Sequence, residues 1–261
     1  NTDKVVNKYV QKDDRFKYYH RPDEHLPGGN GARNYGFKMS QGVYIQWFDS
    51  DDLMKVNKLE FQICDLVTLN LDVSFSGFEI LLPNKEVKIE HLSIINLNEN
   101  LYEAIVTKKF KANTLSPIFK KSFLINEKLF DEKLLTAHEL DFYTSIFYKK
   151  MIKFKVNREI LSTVRQSSFN SIITMQNALN REVIKSLLKV RRRIQVKSKK
   201  SLGPKSFREV TLIYLKLVHS LKKNEYPKKF INKELTFIIL NSNIFNLFTV
   251  LKFIVKNRLF V

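Results

Sequence analysis

The stretch that decides how this chain is read runs from Gly28 to Asp52: GGNGARNYGFKMSQGVYIQWFDSDD. Its first half sets Gly28, Gly31 and Gly36 around Arg33 and Asn34. Glycine lets the backbone approach a neighbour closely. Arg33 brings a permanent cation whose planar fork suits phosphate or carboxylate, and Asn34 can cap or orient backbone groups. The second half is an apolar run, Val43 to Phe48, interrupted only by Gln46 and closed by Asp49, Asp51 and Asp52. Residues i and i+2 of an extended chain point to the same side. Asp49 and Asp51 therefore form a pair of carboxylates that repel unless a cation lies between them or one keeps its proton. Mg²⁺ and Mn²⁺ favour few protein carboxylates together with phosphate oxygens and water. The pair thus suits a divalent ion bridging the protein and a diphosphate, although a plain acidic turn or a helix start would also accommodate DSDD.

Outward from this segment the pattern is α/β. Thr2 to Lys12 reads as an amphipathic helix with Val5, Val6, Tyr9 and Val10 on one face, capped by Asn1 or Thr2. Arg15 to His20 is strand-like and RPDEHLPGG is a turn-rich loop. A short helix between glycines then leads to a buried strand over Val43–Phe48. Strand, helix, strand in this order places a site at the carboxyl end of a strand. Lys58 to Leu69 reads as a helix. LDVSFSGFEILL gives one or two strands, and LYEAIVTKKF fits either helix or strand. SPIFKKSFL reads as a short edge strand and turn, HELDFYTSIFYKKM as a helix with an aromatic face, and IKFKVNREILSTVR as strand pairing. From Ser168 onward the chain turns helical and basic, with a break at Gly203-Pro204 and a further helix from about Phe207 to Lys222. This places a boundary near residue 167, between an α/β unit over 1–167 and a basic helical region over 168–261.

Composition narrows the partners. With 44% apolar and 27% charged residues in 261, the chain is globular rather than disordered. A formal net charge of +19 predicts attraction to an acidic partner: nucleic acid, an anionic membrane or a phosphorylated ligand. The densest cationic stretch, Lys185 to Lys200, has no stacking aromatics among its cations, so nucleic acid is not expected. A solvated helix face or contact with anionic lipid headgroups remains. The uncharged run Leu235–Leu251 nears membrane-span length but is interrupted by Asn241, Ser242, Asn243 and Asn246. It reads as a helix packed on the rest of the chain or lying in a membrane interface. The single cysteine, Cys64, excludes an intrachain disulfide and a cysteine-rich zinc cluster, and its apolar surroundings predict a buried thiol.

Taken together, Gly28, Ala32-Arg33-Asn34, Gly36, Gly42, the Tyr44–Phe48 strand and Asp49-Ser50-Asp51-Asp52 resemble the family 2 glycosyltransferases, which have the GT-A fold. About ten positions match at consistent spacing. The resemblance covers roughly residues 1–170 and implies a GT-A-like mixed sheet with flanking helices. It implies transfer of a sugar, with inversion and with Mg²⁺ or Mn²⁺, from a nucleotide-diphosphate donor to a glycan or lipid-linked hydroxyl in cell-surface polysaccharide synthesis. That work would be done in the bacterial cytoplasm, with possible peripheral contact at the inner face of the plasma membrane. Residue by residue, Asp49 and Asp51 look like metal and diphosphate ligands, Asp52 like their supporting neighbour, and Arg33 and Asn34 like donor-side residues. The general base matches Glu139 in LLTAHELDFYTSIF, with Asp141 as the rival and His138 where a first acid often stands. Alternatively, both carboxylates are ordinary first-turn helix acids. Arg165, in VRQSSFNSI, resembles a loop cation that contacts donor phosphate. Members of the family begin with a strand, helix and strand that hold the nucleotide. Here the chain opens at what resembles the helix after them, so a truncated front is expected, or a remnant that acts only as a binding module.

Overall fold

The computed structural model describes residues 2–90, 100–111, 113–166 and 180–259. Six strands form one mixed sheet: β1 (Tyr44–Ile45), β2 (Leu53–Met54), β3 (Val73–Leu81), β4 (Val87–Glu90), β5 (Pro117–Lys120) and β6 (Phe154–Arg165). Their order is β1-β5-β3-β6-β2, with β4 hairpinned onto the second half of β3. β3 and β6 run parallel, and the other pairs are antiparallel. β3 is the buried spine: Val73, Phe75 and Phe78 face the core, and β5 and β6 flank it.

Helices α1 (Thr2–Val10), α2 (Gly29–Met39), α3 (Lys58–Thr68), α4 (Leu101–Val106), α5 (Lys121–Leu124) and α6 (His138–Ile146) lie in the first two thirds. The segment LYEAIVTKKF resolves to α4, capped by Asn100, whose side chain accepts from the Glu103 N–H. Ile152 to Arg165 is not a pair of strands but mostly one 12-residue strand, β6. Its partner is β3, far away in sequence, which local pattern does not reveal. The SPIFKKSFL strand is not an edge either: β5 sits between β1 and β3.

Arg15–His20 forms no strand. The apolar run after Gly42 pairs only at Tyr44 and Ile45, opposite Lys120 and Phe119. The register then reaches Pro117, which has no N–H to donate. The Gln46 side chain bonds the Leu115 carbonyl there instead, at 3.2 Å. Cys64, expected inside, is exposed. α3 turns Lys58, Gln62, Asp65 and Leu66 inward, and Cys64 falls on the opposite face of the same helix.

The aromatic core explains why α6 packs where it does. Trp47 meets Phe119, Phe130 and Phe142 edge to face, and Phe130 stacks on Phe142 at 4.5 Å. Gly31 is needed in α2 for a separate reason: a Cβ there would lie 2.2 Å from the Leu26 carbonyl oxygen.

The C-terminal part is α7 (Arg181–Ser201), α8 (Pro204–Lys223), α9 (Lys228–Leu240) and α10 (Ile244–Lys256). The apolar run Leu235–Leu251 is thus split between two helices, at the Asn241–Asn243 interruption, and packs on α8 through Leu235, Ile238, Val250 and Ile254. α7 serves two cores: Val190 and Ile194 join the sheet-side cluster, whereas Ile184 and Leu188 join the helical one. Buried Glu234 accepts from Tyr214 (2.5 Å) and Arg192 (2.9 Å), tying α7, α8 and α9 together. The boundary expected near residue 167 lies outside the described residues.

Candidate active site

Three elements build the acidic corner. β1 delivers the extended chain through Trp47 to Asp49, α2 supplies Arg33, and the end of β6 supplies Arg165. One Arg33 nitrogen bonds both Asp49 oxygens, at 2.7 and 2.9 Å. The Trp47 indole N–H donates to the Arg33 carbonyl at 3.2 Å, and the Arg33 guanidinium lies over Phe130 at 5.4 Å. The Arg33 side chain is only 11% exposed against 45% for Asp49, so a buried cation holds a carboxylate that still faces water. The Arg33 Nε and the Gln46 Oε1 are buried with no hydrogen-bond partner. Arg33 and Gln46 line a groove of about 450 Å³ between α2 and β1, together with Asp49 and Ser50.

Arg165 reaches the corner through sheet register. β2 pairs with β6 so that Leu53 lies opposite Thr163. Continuing that register brings Arg165 beside Asp51 and Asp52. The Arg165 N–H donates to Asp52 Oδ1 at 3.2 Å, and its Nε donates to the Asp51 carbonyl oxygen. Burial pushes the Asp52 carboxyl up to about 6, against the Arg165 hydrogen bond and with help from the charges of Asp51 and Asp49. The Asp52 N–H donates to the Asp49 carbonyl at 3.2 Å, so the three acids stand on one tight turn and not, as expected, on extended chain. Asp51 itself is exposed.

Among the described residues no three His, Cys, Asp or Glu side chains form a group that could hold a metal ion by themselves. The nearest donors are Asp49, whose carboxylate already binds Arg33, and the exposed Asp51. That fits an ion that completes its shell with phosphate oxygens and water rather than one caged by protein.

Asn34 faces elsewhere. Its amide donates to the Phe130 carbonyl (2.9 Å) and Glu132 (2.8 Å) and accepts from the Phe130 N–H (3.1 Å). Asn30 bonds the carbonyls of Asp131 and Leu134. These two asparagines fix the 130–134 loop, which leads to α6.

α6 starts at Ala137, a non-glycine residue in the left-handed region (φ 56°). Such a conformation costs on the order of 1 kcal/mol and persists only where the surroundings impose it. Glu139 follows. Its carboxylate accepts from Thr114 Oγ1 at 3.1 Å and lies 3.3 Å from His138 Nε2. Burial pushes Glu139 up, but the His138 hydrogen bond and charge, with Thr114, hold it down at about 2. It is 34% exposed and lines a cleft of about 410 Å³. Asp141, two residues on, faces away: it is buried and ion-paired with Arg193 of α7 at 2.6 Å. Arg193 also binds Asp131 at 2.7 Å. Sequence reasoning missed Thr114, Arg193 and Lys189 as parts of this neighbourhood, because each belongs to an element distant in the chain.

The mixed sheet with its flanking helices is a GT-A architecture. The chain belongs to glycosyl transferase family 2, whose family model matches residues 1–131. It is 28% identical over 178 residues to an uncharacterized glycosyltransferase of Rickettsia bellii, an alignment covering 68% of this chain and 24% of that protein. Over 65 residues it is 37% identical to the Escherichia coli UDP-Glc:alpha-D-GlcNAc-diphosphoundecaprenol beta-1,3-glucosyltransferase WfgD, covering 25% of this chain and 26% of the relative. The chain thus spans about a quarter of the length of each of these curated relatives. Among solved structures, S. aureus TarS aligns over 99% of this chain and 46% of its own, with TM-score 0.63 and 16% identity. A TarS fragment, residues 1–349, in complex with UDP-GlcNAc aligns over 99% and 77%, with TM-score 0.59 and 13% identity.

Proposed function

We infer that this chain carries the catalytic acids of an inverting, metal-dependent transferase that moves a sugar from a nucleoside-diphosphate donor to a hydroxyl of a glycan or lipid-linked acceptor. The observation that carries the reading is the acidic corner at the end of β1, clamped by Arg33 on one side and Arg165 on the other. Asp49 and Asp51 would hold Mg²⁺ or Mn²⁺ with the donor diphosphate, and the ion supplies neutralisation of charge on the departing diphosphate. Arg33 orients Asp49 through two hydrogen bonds and lines the adjoining groove. Asp52, with Arg165, fixes the turn that presents Asp51.

Glu139 is the base. Geometry favours it over Asp141, whose carboxylate is committed to Arg193. As the acceptor oxygen attacks the anomeric carbon, Glu139 takes the hydroxyl proton. The new C–O bond forms on the face opposite the breaking C–O bond to the diphosphate, and a nucleoside diphosphate leaves. UDP-linked sugars are the first donors to assay, since TarS was solved with UDP-GlcNAc and WfgD is named for UDP-Glc.

No helix among the described residues is long and apolar enough to cross a membrane. Contact with the cytoplasmic face of an anionic membrane, in cell-surface polysaccharide synthesis, is supported by an outward apolar stripe on α10. Ile244, Phe248, Leu251 and Val255 are exposed at helical spacing beside Lys252 and Lys256.

The test of the transferase reading is nucleoside diphosphate release from a panel of nucleotide sugars by the full-length protein, with and without Mn²⁺. Turnover should require the ion and fall at least about a hundredfold in Asp51→Asn, with the fold retained by circular dichroism. Undiminished turnover in that variant would remove the metal assignment.

A further inference from the structure

α7 carries three consecutive arginines with different fates. Arg192 is paired with Glu234, and Arg193 with Asp131 and Asp141. Arg191 has no carboxylate partner among the described residues, although it is partly buried. It opens onto the cleft that holds Glu139. Lys108 and Lys111 line the same cleft, and among the described residues Glu139 is its only acidic lining residue. Lys108 sits in the left-handed region, at φ 64°. Burial and the charges of Arg191, Lys111 and Lys216 hold its amine below the usual lysine range, so these cations crowd one another. Burial likewise lowers Arg191. Asn113 also lines the cleft, with its Oδ1 buried beneath the surface. The floor is apolar, formed by Ile105, Phe110 and Leu140.

Cations grouped along the wall of a cleft attract an anion into it. The nucleoside diphosphate does not account for them, because its expected place is the acidic corner with Arg33 and Arg165. We propose that the Glu139 cleft is an acceptor subsite for a phosphorylated sugar: Arg191, Lys108 and Lys111 bind a phosphate or diphosphate on the acceptor, while Glu139 receives its reacting hydroxyl. This rests on the transferase reading and names the acceptor class within it. The anion, one sugar's length from the reacting hydroxyl, provides register; a guanidinium fork gives it direction.

The experiment compares short-chain alkyl glycosides with the same sugars presented as alkyl diphospho-sugars, using the full-length protein and measuring acceptor-dependent transfer. The diphospho-sugar should be preferred by roughly tenfold or more in kcat/KM. That preference should shrink at high salt and in Arg191→Gln, Lys111→Gln and Lys108→Asn, the last chosen because Asn tolerates a positive φ. The two lysines are exposed, so their variants stand in if the substitution at half-buried Arg191 unfolds the helix. Equal kcat/KM for charged and neutral acceptors would overturn the subsite while leaving the transferase reading intact. A rise in donor KM, with acceptor preference unchanged, would overturn it too, by assigning the cations to the donor. Absence of transfer to either acceptor class, with no donor turnover, would instead sink the transferase reading itself.

Discussion

Lys58 is fully buried beneath α3, and its amine donates to Gln62 Oε1 (2.5 Å), Ser76 Oγ (3.0 Å) and the Ser116 carbonyl (3.3 Å). No carboxylate is among these partners. Burial lowers its pKa from 10.5 to about 7. Between those two values the unfolded chain keeps a proton that the folded chain has released. Stability therefore rises with pH through that window and is lower, by the full amount, below it. At about 1.4 kcal/mol per pH unit, the shift corresponds to about 5 kcal/mol in total, of which about 2 kcal/mol falls between pH 7 and 9. Three acceptors around the ammonium favour its charged form and reduce the effect, so a gain of about 1–2 kcal/mol is expected over that interval. Urea unfolding at pH 7, 8 and 9 measures it. The Lys58→Met variant, similar in volume, should lose the rise, and subtracting its curve isolates the Lys58 contribution. Parallel pH curves for the two proteins would refute the argument.

Other outcomes follow from the same geometry. Glu139→Gln should lower kcat by about a hundredfold or more with little change in donor KM. His138→Gln removes the main group that holds Glu139 down at about 2, so the acidic limb of the kcat/KM profile should move upward; an unmoved limb would take Glu139 out of the base role. Asp141→Asn breaks a buried pair with Arg193 and should cost about 3 kcal/mol in thermal or urea unfolding, yet should not reproduce the catalytic loss of Glu139→Gln. Vesicle sedimentation should show binding to anionic but not zwitterionic lipid, lost in a Phe248→Glu variant; equal binding by that variant would discount the α10 stripe.

Much of the candidate site was legible because its chemistry is local in sequence. Glycine spacing, Arg33 and the acids after Trp47-Phe48 lie within 25 residues, although the acids stand on a turn closed by the Asp52 N–H to the Asp49 carbonyl and not on the extended chain the spacing implied. Helix α2, the helical character of α7 and α8, and the aromatic face of α6 were likewise set by periodicity. Other assignments depended on partners far along the chain. Whether Glu139 or Asp141 faces the cleft was undecided by a helix start that carries both. Arg193, more than fifty residues away, claims Asp141 and leaves Glu139 to Thr114 and His138.

Sequence by itself determined the class of fold and the acids that close the first strand, since backbone preference and side-chain alternation act between neighbours. Tertiary structure decided which charges are neutralised and which are left free. Arg165 reaches Asp52 only through the β2–β6 register, and Glu234 and Asp131 engage Arg192 and Arg193 while Arg191 has no carboxylate partner among the described residues. The physical reason is that charge pairing acts through space over a few ångströms, and only the packed chain sets those distances.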